Sequence, residues 1–480
     1  MPRVNAPAER VLQTILAQGY RELGHRDLAD VGGFSERSVS NVLRDLGPRR
    51  LMAGGHPAKL GPGLGLCLGI SVGRESLRAG LVDANGDIHH KVDRPPFRNQ
   101  TDKPVHVVLE RVREIAAEVL AGGMADRSLW ASEKRVLKLL GVSVAWSSPL
   151  DRAGRPGGSS LKDAAWSGPA RDTGRIPTMQ ERVAGALGPP FTPAHMYALN
   201  DANAHALAVV FRGSRLRAGE PETDQWRVVL AVRVSGGLGA ATVLSAPHTG
   251  RRLSFIDSKL IAGTNGFAGE LGHVPISKAV ITERNRESPS GLAKLNYEQA
   301  ECSCGKGRHH LEAFASADAL LRRLEASGLK IPHGSRRQTS LIRSVFEGDI
   351  SAKHVHALTD VGRIIGRALA NPILMLDPYS ITLTGSLAFE DLKQGVLLER
   401  GAWRSAIGDH VRVNYLTGDD NVHAGVRGAA LAMIRNFVYR QLGDVIDGKA
   451  RTGLPLNYTP ADLKRLTAPA GGPARPRRQA

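Results

Sequence analysis

The sequence predicts a small, mainly α-helical head followed by a much larger α/β body. Three observations support this prediction. Apolar residues recur at helical spacing up to Leu46, strands alternate with helices after about residue 62, and glycine-rich turns follow several strands. Because 480 residues exceed one ordinary domain, we expect a head at 1–62, two body lobes at 63–200 and 201–447, and a basic, disordered tail at 448–480.

The composition is that of a globular protein, and we expect it in the cytoplasm. Apolar residues make up 42% of the chain, and no apolar run reaches the length of a membrane span. The first residues lack the apolar core of a signal peptide, so no membrane partner is expected. The chain has 3 cysteines, two of them in the pair Cys302 and Cys304. This usage suits a metal site in a reducing compartment better than a disulfide framework.

The chain is strongly basic, with a net charge of +18 and an isoelectric point near 10.2. Arginine and lysine supply the phosphate contacts that nucleic-acid binding needs. An arginine-rich composition that spreads charge over the whole surface gives the same total. The net charge is therefore compatible with DNA binding but is weak support for it.

The first sixty residues contain amphipathic segments at 9–19 and 26–33, and Ser35 is a favourable N-cap for a further helix that ends at Leu46. One face of that last helix is apolar. Its opposite face carries side chains that donate and accept hydrogen bonds: Arg37, Ser38, Ser40, Asn41 and Arg44. Such a helix fits the major groove of DNA. A three-helix cap with a solvated polar face would show the same pattern.

The segment that follows this helix favours the DNA-binding interpretation. Residues 49–61 can form a hairpin wing with a Gly-Gly-His-Pro tip, flanked by Arg49, Arg50 and Lys59 for contacts with phosphates. The head resembles the winged helix-turn-helix of ROK-family repressors. Those repressors usually carry Gly-Arg-Pro at the wing tip, where this chain has His56, so a minor-groove arginine is not implied here.

The body begins with an almost unbroken apolar run at 64–72, which is typical of a buried strand. Two further strands follow, joined by a turn that contains Asn85 and Gly86. Later segments continue the alternation of strand and helix: a helix at 104–121, a strand at 135–146, a helix near 178–187 within a loop-rich region, a strand and helix at 195–213, paired strands at 226–244, a helix and strand at 358–388, and a core helix at 421–437.

Four motifs within this body resemble those of the ROK family of repressors, open reading frames and sugar kinases. They are NDANA at 200–204, SGGLG at 235–239, GFAGELGH at 266–273 and CSCG…LE at 302–312. The resemblance covers most of residues 65–440. It implies an actin-like, sugar-kinase-like body of two α/β lobes, with the ligand bound in the cleft between them.

The resemblance also implies a sugar site built from Asn200, Asp201, Glu270 and Glu312. Carboxylates accept hydrogen bonds from vicinal hydroxyl groups, which makes them suitable for sugars. In the kinases of the family, the residue at Asp201 acts as the base for a sugar hydroxyl. The same aspartate can simply bind the sugar, and a lone glutamate is more often solvated or a helix cap.

In the ROK family, zinc is held by the histidine of the E-x-G-H motif and by three cysteines. His273, Cys302 and Cys304 match three of these ligands, and the last cysteine is missing. Counting back from Leu-Glu places His310 at its position, with His309 as the alternative. A structural Cys2His2 zinc site is chemically reasonable. The other interpretation is a degenerate site with free cysteines and solvated histidines.

The phosphate loops depart from the kinase pattern. In ROK kinases the first loop reads Asp-x-Gly-Gly-Thr-Lys, whereas this chain has Ser71, Arg74 and Glu75 where the aspartate, the second glycine and the threonine would stand. An anion at the threonine position repels phosphate. In the second loop, Gly-Thr-Gly is replaced by residues 235–237, Ser-Gly-Gly. We therefore expect no ATP binding and no catalytic residue, with Asp201 a vestigial base.

Together these features predict a transcriptional regulator, most simply a repressor, that binds a double-stranded DNA operator and senses a sugar or sugar phosphate. A homodimer or a dimer of dimers would present paired recognition helices to a pseudo-palindromic site. Two alternatives remain at this stage. One is an ATP-dependent, glucokinase-like sugar kinase with an appended DNA-binding head, and the other is a DNA-binding protein whose sugar site is vestigial.

Overall fold

The structure is a computed structural model. It describes residues 6–17, 24–46, 60–73, 76–94, 105–131, 135–156, 175–212, 226–248, 252–253, 258–302, 304, 307–330, 342, 345–346, 351–403, 410–446 and 456–468. No helix in these ranges is both long enough and apolar enough to cross a membrane.

The head consists of helices α1 (Ala6–Ala17), α2 (His25–Gly32) and α3 (Glu36–Leu46), as the helical spacing predicted. Gly33 ends α2 with a left-handed backbone, φ +65°, which glycine adopts without strain. Ser35 Oγ accepts a hydrogen bond from the Ser38 N–H at 3.1 Å, so Ser35 is the N-cap of α3. The predicted wing, up to residue 59, lies outside the described residues.

The first sheet contains β1 (Leu66–Val72), β2 (Leu77–Val82), β3 (Ile88–Arg94), β4 (Leu137–Trp146) and β5 (Met196–Asn200). β1 is antiparallel to β2 and parallel to β4, and β4 is parallel to β5. Alternate residues of β1 enter different cores, because side chains of a strand point to opposite faces. Leu66 and Leu68 pack with helices α4 (Val105–Ala125) and α5 (Met179–Leu187).

Across the second sheet the strands lie in the order β10 (Lys259–Ile261), β7 (Leu238–Ser245), β6 (Arg227–Val234), β11 (Ser380–Thr384) and β12 (Arg412–Tyr415). A small separate ribbon pairs β8 (Pro247–His248) with β9 (Arg252–Leu253). The helices of this lobe are α7 (Lys278–Glu287), α8 (Leu311–Ala315), α9 (Ala317–Ala326), α10 (Ala352–Leu376) and α11 (Glu390–Leu398).

Two helices, α6 (Asp201–Arg212) and α13 (Ala424–Ile446), share one hydrophobic core with both sheets. The short helix α12 (Gly418–Val422) precedes α13. Gly428 allows α13 to touch α6, because a Cβ at this position would lie 1.7 Å from the Ala204 carbonyl oxygen. The division into lobes at 63–200 and 201–447 stays a prediction from the sequence. α13 follows the second lobe in sequence but packs against β1 and β4 of the first.

The predicted disordered tail is wrong for residues 456–468. β13 (Leu456–Tyr458) extends the first sheet by pairing with Leu137–Leu139 of β4. The helix α14 (Pro460–Thr467) follows, and it begins with a capping box between Thr459 and Asp462. The physical reason is that Tyr458 and Leu466 are fully buried in the first-lobe core, and such apolar anchors offset the cost of ordering a basic segment.

Candidate functional site

Four side chains from separate segments of the second lobe converge at one point. The ligand atoms of His273, Cys302, Cys304 and His310 all lie within 4.8 Å of one another. His273 Nδ1 is 3.5 Å from Cys302 Sγ, and His310 Nδ1 is 3.6 Å from Cys304 Sγ. Burial raises the pKa of the Cys302 thiol to about 12, so this sulfur is protonated at neutral pH unless a cation stabilises the thiolate. Two thiols and two imidazoles form a cluster that can hold a metal ion.

Backbone bridges bring these segments together. Pro275 pairs with His310, and the Leu311 N–H donates to the Val274 carbonyl at 2.8 Å. His309 takes no part in the cluster. It has a left-handed backbone, φ 63°, and its ring stacks on Tyr297 with 3.8 Å between centroids. Of the two histidines that the sequence left as alternatives, His310 therefore belongs to the cluster.

Both predicted sugar-site glutamates lie beside this cluster. Glu270 Oε2 is 3.5 Å from His273 Nε2, the ring nitrogen opposite the one that faces Cys302. Glu312 is buried, and its Oε2 accepts a hydrogen bond from the Leu238 N–H at 3.1 Å. Glu270 precedes the cluster residue His273 by three positions, and Glu312 follows the cluster residue His310 by two. The cluster therefore fixes the chain next to each carboxylate. The hydrogen bond from Leu238 to Glu312 also connects this region to the glycine-rich turn before β7.

The other two predicted sugar-site residues lie where β5 meets α6. Asn200 Oδ1 accepts a hydrogen bond from the Ala202 N–H at 2.9 Å and so caps α6. Asp201 is the first residue of α6 and is buried. Its Oδ2 lies 2.8 Å from Nη1 of Arg233 on β6. The aspartate that the sequence identified as a vestigial base is therefore in an ion pair.

Arg233 was not among the residues singled out from the sequence. The available signal was an arginine inside an otherwise apolar stretch, VVLAVRV, because a buried charge requires a partner. A Cβ placed on Gly73 would lie 3.8 Å from Arg233 Nη2, so the guanidinium also reaches the first phosphate loop. Arg74 and Glu75 of that loop lie outside the described residues.

A buried histidine lies close to the same arginine. His205 of α6 has its Nδ1 3.1 Å from Thr384 Oγ1. Burial, and then the charges of Arg233 and Arg78, lower its pKa well below the usual range, so the ring is neutral. In the second phosphate loop, Ser235 Oγ accepts a hydrogen bond from the Ser386 N–H at 3.2 Å. That hydroxyl therefore ties two glycine-rich turns together.

The predicted DNA-facing side of α3 is largely open to solvent. Arg37, Ser38, Asn41 and Arg44 are exposed, and Arg44 Nη2 donates to Asn41 Oδ1 at 3.1 Å. Ser40 differs, because it is half-buried and its Oγ lies 3.0 Å from His25 Nδ1 of α2. This contact lies between the two helices. Arg49, Arg50 and Lys59 lie outside the described residues.

Comparison with known proteins agrees with these motifs. The model of the ROK family matches residues 192–435, just over half of the chain. An N-acetyl-D-glucosamine kinase of Histophilus somni is 27% identical over 196 residues, which are 39% of this chain and 50% of the kinase. The xylose repressor of Bacillus subtilis is 24% identical over 159 residues, 33% of this chain and 31% of the repressor.

The matched stretches thus span about half of that kinase and about a third of that repressor. Among solved structures, a ROK family transcriptional regulator described as a homolog of Escherichia coli MLC aligns with a TM-score of 0.53. The two chains are 16% identical, and the alignment covers 92% of this chain and 98% of that regulator. This likeness concerns the fold. The family match and the fold agree, and the chain belongs to the ROK family.

Proposed function

We propose that this chain is a DNA-binding transcriptional regulator of the repressor type, whose body binds a sugar or sugar phosphate without phosphorylating it. The observation that carries the proposal is the ion pair between Asp201 and Arg233. It commits the one retained candidate base to an arginine, while the sugar-site carboxylates Glu270 and Glu312 remain beside the Cys/His cluster.

Phosphoryl transfer depends on positioned groups that stabilise charge on the transferred phosphate and orient the attacking hydroxyl. Here Ser71 stands where a magnesium-directing aspartate would be. Arg233 also holds one oxygen of Asp201, the carboxylate that would accept the proton of a sugar hydroxyl. These two changes act on the same step, and together they favour a binding role for the cleft.

The head supplies the DNA-binding half of the proposal. In a winged helix-turn-helix, α3 would enter the major groove with Arg37 and Asn41 at base edges, and the segment with Arg49, Arg50 and Lys59 would contact phosphates. Ser38 and Arg44 lie on the same exposed face. Ser40, in contact with His25, would hold α3 against α2. A homodimer or a dimer of dimers would present such helices in pairs.

The Cys/His cluster is proposed as a structural zinc site. Its donor set is two cysteines and two histidines, which is a usual set for tetrahedral zinc. The ion would cross-link the segment that carries Glu270 to the one that carries Glu312. Because the protein would supply all four ligands, the ion would have a structural role, and the carboxylates would bind the sugar.

The effect of a bound sugar on the head would be transmitted through the linker, the segment around Leu60 between the head and the body. The Leu60 N–H donates to Asn85 Oδ1 at 3.0 Å, and Asn85 Nδ2 donates to the Leu60 carbonyl at 2.9 Å. The turn that carries Asn85 is also held by Arg427 of α13, whose Nε donates to the Gly86 carbonyl at 3.0 Å. A sugar that binds the two lobe arrangements unequally would shift the position of the head through these contacts.

An ATP-dependent sugar kinase with an appended head is the second candidate. The resemblance to N-acetyl-D-glucosamine kinases and the retained Asp201 favour it. A DNA-binding protein with a vestigial sugar site is the third candidate.

A thermal-shift screen of the full-length protein against sugars, sugar phosphates and Mg-ATP separates these candidates. A ligand at a hundredfold excess over its dissociation constant stabilises the folded state by about 2.7 kcal/mol. The proposal expects a shift with a sugar or sugar phosphate and none with Mg-ATP. A shift with Mg-ATP, followed by turnover that Asp201→Asn abolishes, would establish the kinase. No shift with any sugar, despite selection of a specific DNA site, would leave the third candidate.

A further inference from the structure

A cavity of about 970 Å³ opens between the lobes beside Asn200. Its walls come mainly from the end of β5, the loop after β4, the start of β10 and the middle of α13. Asp201, Glu270 and Glu312 do not line it. Asn200 is thus the one residue of the proposed sugar site that borders this larger space. Ligand pockets usually measure about 300–1,000 Å³, so this cavity is at the large end of that range.

Amide side chains with unused hydrogen-bonding groups line this cavity. Neither Asn203 nor Asn436 makes a side-chain hydrogen bond to the described part of the chain, and Gln180 Oε1 is buried there without a partner. Asn200 uses its Oδ1 to cap α6, which leaves its Nδ2 donors for a ligand. An amide offers donors and an acceptor together, and this matches hydroxyl groups, which also both donate and accept.

An aromatic side chain completes the wall. Trp226 is 47% exposed although it is large and apolar, and Lys259 Nζ lies 5.1 Å from the centroid of its ring. The combination of one exposed aromatic face with convergent polar groups is typical of a site for a ligand that has both apolar and hydroxylated surfaces. Sugars have this character, because their C–H bonds form apolar patches between the hydroxyl groups.

The charges of the wall indicate a neutral ligand. Arg435 Nη1 donates to the carbonyl and the hydroxyl of Ser258, at 2.8 and 3.1 Å. The Asp151 carboxylate accepts hydrogen bonds from the N–H groups of Ala153 and Arg155, at 2.9 and 2.8 Å. Lys259 is placed over Trp226. Arg435, Asp151 and Lys259 thus contact protein groups, which leaves the exposed Arg152 as the one charged side chain of the wall without a partner among the described residues. A single arginine does not form a convergent cationic site for a phosphate.

We infer that this cavity binds the second unit of a disaccharide or the aglycone of a glycoside, whose first sugar unit contacts Asn200 and Asp201. The inference rests on the proposed sugar binding and narrows its ligand class. Asn200 joins the two sites, Trp226 stacks on the second unit, and the amides of Asn203 and Asn436 bind its hydroxyl groups.

The test is isothermal titration calorimetry of the full-length protein with matched ligands. The monosaccharides are glucose, N-acetylglucosamine and xylose. Their partners are cellobiose, maltose, diacetylchitobiose, xylobiose and the 4-nitrophenyl glycosides. We expect at least one extended ligand to bind about tenfold or more tightly than its monosaccharide, which corresponds to about 1.4 kcal/mol. Trp226→Ala and Asn436→Ala should each remove most of this advantage and leave the affinity for the monosaccharide within about twofold.

Leu398→Ala is the matched control, because Leu398 is 62% exposed at the end of α11 and does not line the cavity. It should keep the advantage of the extended ligand. Equal affinity for a monosaccharide and every matched extended ligand would overturn the inference but leave sugar binding intact. An advantage that survives both cavity substitutions would overturn it as well. Preferential binding of glucose 6-phosphate that Arg435→Gln abolishes would reassign the cavity to an anion, and binding of no sugar at all would refute the proposed sugar site itself.

Discussion

The two sides of the interlobe cleft differ in what they preserve of a sugar-kinase-like site. The cluster of His273, Cys302, Cys304 and His310, together with the adjacent Glu270 and Glu312, is called the metal side below. The surroundings of Gly73, Arg233 and Ser235 are called the phosphate side. On the metal side, a histidine replaces an expected cysteine and the donors still converge. On the phosphate side, Arg233 forms an ion pair with Asp201, the predicted base, and its guanidinium reaches the first phosphate loop. A histidine in place of a cysteine keeps a metal-binding group, whereas the removal of a charge at Ser71 and the addition of one at Glu75 change what the site can bind.

Loss of the metal side should give the largest effect. Cys302→Ser combined with Cys304→Ser removes two ligands, and a structural metal contributes directly to folding. We expect metal content to fall from about one ion per chain to near zero, with a loss of several kcal/mol in the free energy of unfolding. Elemental analysis and denaturant unfolding measure both. His309→Ala should retain the ion, and loss of metal from this variant would contradict the assignment of His310.

Breaking the ion pair on the phosphate side should have the next largest effect. Asp201→Asn leaves the Arg233 guanidinium without its carboxylate in a mostly buried site, which typically costs about 1–3 kcal/mol. Urea unfolding of the variant measures this loss. Glu298→Gln breaks a pair with Lys278 that is exposed on both sides, and it should change the stability much less. An equal loss in the free energy of unfolding for the two variants would contradict a larger contribution from the buried pair.

The phosphate side should also make the protein sensitive to acid. Because the folded-state pKa of His205 lies well below that of the unfolded chain, unfolding takes up a proton as the pH falls below about 6.5. Stability is therefore retained above that pH and lost below it, by up to about 1.4 kcal/mol per pH unit for one group. Denaturant unfolding from pH 7.5 to 5 should show a shallower dependence for His205→Gln. Leu398→Ala, an exposed control that does not titrate, should keep the wild-type slope. An unchanged slope in His205→Gln would contradict the prediction.

Substitutions in α3 test DNA binding by the head independently of the cleft. Arg37→Ala and Asn41→Ala should each weaken binding to a selected DNA site by about tenfold or more, since a good base contact is worth about 1–3 kcal/mol. Binding to random DNA and to sugar should change little. Fluorescence anisotropy at fixed salt measures the DNA affinities, with Arg155→Ala in the body as the control. An equal loss on random and selected DNA would assign these side chains to phosphates.

The contact between Leu60 and Asn85 should affect the regulation of DNA binding more distinctly than it affects either binding affinity. Asn85→Ala removes two hydrogen bonds to Leu60, each worth about 0.5–1.5 kcal/mol. We expect sugar affinity and DNA affinity each to stay near wild type, while the effect of sugar on DNA binding falls severalfold. Anisotropy titrations with and without sugar measure this coupling. Asn414→Ala, an exposed asparagine of β12, should leave it intact, and full coupling in Asn85→Ala would exclude this route.

Local pattern was sufficient for most of the fold. The apolar run in β1, the Asn-Gly turn before β3 and the N-cap at Ser35 each depend on residues within a few positions, and the structure has all three. The tail was mispredicted because Tyr458 and Leu466 find their partners more than three hundred residues away, on β4 and α4. The basic composition reflects the solvent-facing residues of 456–468 and gives no information about the buried Tyr458 and Leu466.

The sequence by itself determined which chemistry is available: the order of the elements, the ROK motifs, the Cys/His donors, and the loss of an acidic group at Ser71. Only the tertiary structure decided which of two adjacent histidines joins the cluster, since a left-handed backbone at His309 turns that ring onto Tyr297. It also decided that Arg233 pairs with Asp201 and that four amides share a cavity. Such contacts join residues on different strands and helices, and their distances depend on how the sheets pack rather than on spacing along the chain.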